Sequence, residues 1–200
     1  MEPAFFHQMV KDACGKPPAE RHEALLYLHR VALDDYLEAL SLITPERAAE
    51  NINIEGDTRT VQQIVGHIGE WARYELLAGA DILVGIKNPR GVIGLERYLM
   101  PTGRAKQFKS VDEVNAYFAK IHAQWTWAQI LTFADEMARA LYTLFATPGL
   151  LNAERLEATH EHVFSLDNGE VITGIHQGWV LWLMEIKHIA VSHRAELRLP

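Results

Sequence analysis

The sequence predicts an all-α fold, an antiparallel four-helix bundle with long connections between helices two and three and between helices three and four. Four long segments repeat apolar residues at three- and four-residue steps. Proline and glycine gather between those segments, and strand signal is confined to a short stretch near His162–Leu166. Segments of that length bury their apolar stripes by packing on one another. With 200 residues and 48% hydrophobic content, the chain has material for one sizeable core, so residues 1–200 are expected to form a single domain.

Residues 1–18 are expected to be an N-terminal arm ending at Pro17-Pro18. The first helix is predicted from Ala19 to Ile43, where Leu25, Leu28, Ala32, Tyr36, Leu40 and Ile43 form one stripe and Thr44-Pro45 stops it. Thr44–Asp57 reads as a connection broken by Gly56. The second helix starts near Thr60, where Thr60 and Gln63 have capping-box spacing, and carries Val61, Ile64, Val65, Ile68, Trp71 and Leu76 on toward Ile86. Residues 87–109 form a basic loop in an acidic chain: six lysines and arginines face Glu96 alone, a local charge of +5. The third helix is predicted from Ser110, capped with Glu113, to Ala146 before Pro148-Gly149. A short helix is expected at Asn152–Ala158, and Asp167-Asn168-Gly169 is a strong turn. The fourth helix is predicted from Thr173 almost to Pro200.

Composition excludes several classes. The formal charge of −7 argues against general nucleic-acid binding. The longest apolar run, Trp179–Met184, is too short to span a membrane. The N-terminus has no basic stretch ahead of an apolar run, and Cys14 is the only cysteine; a reducing cytoplasm is the expected location. Cys14 has no basic partner nearby in sequence, which argues against a nucleophile. No phosphate loop, dinucleotide loop or nucleophile elbow is present.

Helical bundles build metal sites from inward histidines and carboxylates. Among 10 histidines, His67 lies on the inner stripe of helix two, one turn from Ile64 and from Trp71, between Gly66 and Gly69. These glycines are expected to leave room around its ring. The last helix offers Glu185, His188, His193 and Glu196. Glu185 and His188 are three apart and suit one ion. His188 and His193 are five apart, about 140° around an α-helix, so only one of them is expected to join His67. Two apolar faces on this helix suggest packing on the bundle and on a second subunit, hence a homodimer. His160 and His162 are read as a surface pair. Trp125 and Trp127 cannot both face the core of one helix, so one of them is expected at a pocket or an interface.

The segment Thr60-Val61-Gln62-Gln63-Ile64-Val65-Gly66-His67-Ile68 resembles the helix-two motif of DinB-like proteins. Ser192-His193-Arg194-Ala195-Glu196-Leu197 is similar to that family's closing His-His-Arg-Gly-Gln-Leu. The family includes thiol-dependent transferases and mycothiol-dependent maleylpyruvate isomerases. The resemblance implies a site of three protein ligands for a divalent metal ion (Zn, Ni or similar), with one histidine on helix two and two ligands four apart on the last helix. It implies open positions for water or a substrate thiolate. The position four before His193 is Ile189, and four before His188 is Met184. Either register leaves one expected ligand missing. The metal-site residues are therefore His67, His193, His188 and Glu185, with the register open.

Two functions follow. One is a metal-dependent thiol transferase or isomerase, acting on a small thiol or an acidic small molecule held by the basic loop. The other is a non-catalytic dimer with a degenerate metal site and a binding or stress-related role. Binding of a small organic ligand without chemistry is a third.

Overall fold

The computed structural model describes residues 1–52, 54, 57–89, 98, 99, 105, 106 and 108–197, with the backbone alone at 98, 99, 105 and 106. The protein is mostly helical. The longest helices are α2 (Pro18–Leu42), α4 (Val61–Leu83) and α6 (Trp127–Ala146); the shorter α8 (Gln177–Lys187) packs with them, and α1 (Pro3–Cys14), α3 (Pro45–Ala49), α5 (Val111–His122), α7 (Ala153–Glu157) and α9 (Arg194–Leu197) lie between and around them. Helix α2 packs on α6 and α8, and α4 packs on the same two, so the four enclose a common core. Strands β1 (Tyr98–Leu99) and β2 (Ala105–Lys106) pair antiparallel, as do β3 (Glu161–Ser165) and β4 (Val171–His176).

Local chemistry sets the helix starts. Pro18 occupies the first turn of α2, where its missing N–H costs nothing. Thr60 and Gln63 cap α4 reciprocally, as expected from their spacing. The core is centred on Trp179 and Trp182. The Trp182 ring stacks on Phe145 at 4.3 Å, and its Nε1 donates to Nδ1 of buried His29 at 2.9 Å.

Several elements differ from the sequence prediction. The arm 1–18 contains α1, which buries Phe6, Val10 and Ala13 against the bundle. Cys14 at its end is half-buried, and burial pushes its thiol up to about 11. The third helix divides into α5 and α6 because Thr126 and Gln129 form another capping box, which starts a new helix. Trp125 lies in the intervening turn against His122 and Phe133, while Trp127 begins α6, so the two tryptophans do not share a helix. The predicted start of the fourth helix is strand β4; Val171, Ile172, Thr173 and Ile175 favour the pleated backbone. The predicted turn joins β3 to β4, with Gly169 at φ +85°. Helix α8 packs within the chain on α2, α4, α7 and the β3–β4 hairpin. Most of the basic stretch 87–109, including Arg90, Arg97 and Arg104, and Gly56, lie outside the described residues.

Candidate metal centre

His67 projects from the second turn of α4, and two histidines from the end of the last helix meet it. His188 Nε2 lies 3.3 Å from His67 Nε2 and 2.9 Å from His193 Nε2. One nitrogen from each of the three rings lies within 4.8 Å of the others. The rings approach edge to face, with centroids 4.7–5.2 Å apart.

The five-residue spacing that excludes one histidine from an α-helix is accommodated by backbone geometry. Residues His188–Ser192 form a π-helical turn. Its i→i+5 hydrogen bonding places residue i+5 over residue i, so His188 and His193 share a face. A third imidazole is thereby brought to the cluster without a change of residue type at Met184 or Ile189. The expectation that only one of the two histidines joins His67 is corrected on this ground.

Glu185 does not join the three. It lies three residues before the π turn, fully buried, with neither carboxyl oxygen hydrogen-bonded to a described residue. It faces Glu75 of α4 and Tyr36 of α2 electrostatically. Glu196 also differs from an ion ligand. Its Oε2 lies 2.9 Å from His193 Nδ1, and its Oε1 lies 3.7 Å from Arg59 Nη2. Arg59 is gripped in turn by Asp57, whose pKa its hydrogen bonds pull down to about 2. An Nδ1–H donated to Glu196 leaves the His193 Nε2 lone pair facing the other two rings. Such carboxylate–histidine pairs orient metal-bound imidazoles.

The electrostatics favour neutral imidazoles. Burial pulls the His67 pKa down to about 3, helped by the charges of His193 and Arg59. Burial also drives His188 well below its ordinary value, with His193, His67 and Lys187 adding to it. Neutral imidazole is the form that binds a metal ion. Three nitrogens bound tetrahedrally at about 2.0–2.1 Å stand about 3.3 Å apart. The observed 2.9 and 3.3 Å contacts have that scale, so the donor set fits a divalent ion.

A cleft of about 550 Å³ opens on this cluster. His67, Trp71 and Glu75 line it from α4, and Met184, Lys187 and His188 from the last helix. Strand β3 supplies a further wall with His162 and Phe164. Asn115 of α5 also lines it and accepts from Trp71 Nε1 at 3.1 Å. His162 therefore lies in a strand facing the cleft, and His160 is exposed just before it. The room beside Gly66 and Gly69 is filled by other elements. A Cβ at Gly66 would lie 2.7 Å from His122 Nδ1, and one at Gly69 2.8 Å from the Phe133 ring. The glycines let α5 and α6 close on the back of α4. Sequence reasoning missed Arg59, Asp57 and Glu75. For Arg59 and Asp57 the only local signal is their place just before the α4 cap.

No protein-family model matches the chain, and no curated protein matches it. Solved structures do. The mycothiol-dependent maleylpyruvate isomerase aligns with a TM-score of 0.52 at 18% identity, over 92% of this chain and 59% of that one. A histidine-to-alanine mutant of the isomerase aligns with a TM-score of 0.54 at 15% identity and the same coverage. The chain thus spans 59% of the length of those structures. This likeness establishes that the chain has the fold of the mycothiol-dependent maleylpyruvate isomerase, the DinB-like fold.

Proposed function

We propose that the protein is a divalent-metal-dependent enzyme of thiol chemistry, a transferase or isomerase, with its ion on His67, His188 and His193. The observation that carries this reading is the convergence of three Nε2 atoms at one end of a cleft. Three imidazoles suit zinc or nickel, and a three-ligand site leaves a position for a reactant. A bound divalent ion lowers the pKa of a coordinated thiol and so makes a thiolate available at neutral pH.

The chain's own residues have separable tasks in this reading. Glu196 holds the His193 ring, and Arg59 holds Glu196. Trp71, Met184 and Phe164 keep water from the cleft beside His67 and His188. Asn115 fixes the Trp71 indole. Helices α2, α4, α6 and α8 are read as an antiparallel bundle within a single domain over residues 1–200. The alternative of a degenerate site rested on a missing ligand, and the π turn removes that ground.

Metal analysis of purified protein tests the proposal. Wild type is expected to hold about one equivalent of zinc or nickel, and His67→Ala and His188→Ala to hold little. After cobalt substitution, a small thiol is expected to produce a thiolate-to-metal charge-transfer band. Wild-type protein that takes up no zinc, nickel or cobalt would overturn the proposal.

A further inference from the structure

The cleft has an acidic inner end for which the metal centre has no use. Glu75 shares a face of α4 with His67 and Trp71, and all three line the cleft. It stands eight residues beyond His67, about 12 Å along the helix. Its Oε2 is buried and has no hydrogen-bond partner among the described residues. Behind it, both oxygens of fully buried Glu185 and the hydroxyl of buried Tyr36 are likewise unpartnered. Lys187, the lysine among the described lining residues, is already engaged: its Nζ binds Asp167 Oδ1 at 2.8 Å and the Ser165 carbonyl at 3.0 Å. His67 and His188 are turned toward each other. Buried oxygens without donors are costly, and native proteins satisfy nearly all of them. A carboxylate selects a charged donor over a neutral one, because charge-assisted hydrogen bonds are the stronger.

We propose that the inner end of the cleft recognises the ammonium group of a ligand, with Glu75 as the contacting residue. The inference rests on the thiol reading above and narrows its substrate class. The two positions are about 12 Å apart along the helix, and the side chains take up part of that span, so a sulfur held at the histidines and an amine held at Glu75 stand about 10 Å apart. Glutathione has that reach when extended, since the eight bonds from its amine nitrogen to its sulfur span about 10 Å. A two-carbon aminothiol falls well short.

Isothermal titration calorimetry on the metal-loaded full chain tests this with four probes: glutathione, N-acetylglutathione, and the S-methyl form of each. Acetylation removes the positive charge, and methylation blocks the thiol. Glutathione is expected to bind at least about tenfold tighter than its N-acetyl form. The S-methyl pair is expected to keep that ratio at lower absolute affinity. In Glu75→Gln the ratio collapses toward one, while N-acetylglutathione binds as it does to wild type. Equal affinity for the acetylated and free amines in wild type, a ratio unchanged in Glu75→Gln, or no binding by any probe overturns the ammonium site. An amine preference that survives while methylation costs no affinity overturns the thiol reading instead and leaves the ammonium site standing.

Discussion

Replacing Glu185 with methionine isolates the energetic cost of a buried acid. The Glu185 carboxyl is fully buried, both of its oxygens lack partners, and burial pushes its pKa from 4.5 to about 8. The unfolded chain therefore ionises this group near pH 4.5, whereas the folded chain ionises it only near pH 8. Between those values the folded state keeps a proton that the unfolded state has released, so stability falls as pH rises. The penalty is absent below about pH 4.5 and complete above about pH 8. At about 1.4 kcal/mol per pH unit, the whole interval amounts to about 5 kcal/mol. That is a large share of the roughly 5–15 kcal/mol by which domains are stable. Methionine is unbranched and uncharged, and of similar length. Urea unfolding of wild type and Glu185→Met at pH 5, 6, 7 and 8, with a chelator present, gives the free-energy difference at each pH. That difference is expected to widen in favour of the variant by about 1 kcal/mol per pH unit. The difference is the proper readout because His67, drawn down to about 3, has the opposite effect on both proteins. A gap that stays constant from pH 5 to pH 8 would refute the reasoning.

The buried histidines lead to an acid-side prediction. With His67 lowered to about 3 and His188 also held well below its ordinary value by burial, the metal-free fold is stabilised above pH 6.5 and loses that stability as pH falls toward 3. Circular dichroism melts in chelator are expected to show the melting temperature falling steeply below pH 6. Glu196→Ala releases the His193 ring, and zinc affinity measured by competition is expected to drop about 10–100-fold with the fold intact. Gly178→Ala is expected to destabilise the protein by about 1–3 kcal/mol in chemical unfolding, because its Cβ would lie 2.7 Å from the Leu156 carbonyl oxygen, a backbone atom that cannot swing aside.

Much of the fold is legible where a local motif and the apolar period agree. The stripe from Leu25 to Leu40 and the Thr60–Gln63 cap define α2 and α4 closely. Legibility fails where the two conflict. Apolar residues continue through the turn at Ala123–Thr126, and this continuity hides a cap at Thr126 and Gln129 that the sequence carries just as plainly as the one at Thr60. At Val171–His176, proximity to a strongly helical segment masks a run of β-branched residues. At the site, helical spacing identifies His67 but assumes a uniform α-helix beyond Lys187, and so separates His188 from His193. Glu185 is misassigned for a different reason. A spacing of three shows that two side chains share a face, and a face broad enough for both can send one toward the cleft and the other into the core.

The π turn at His188–Ser192 also bears on how relatives of this chain are to be recognised. The π turn accommodates one residue more than an α-helical turn between the two imidazoles. Removing Ala190 shortens the interval between the two histidines from five residues to four, the interval at which an ordinary α-helix aligns them. The pair is therefore compatible with two chain lengths, each with its own winding. A search keyed to a fixed ligand interval passes over half of that repertoire, whereas a search for three imidazole nitrogens within 4.8 Å finds both.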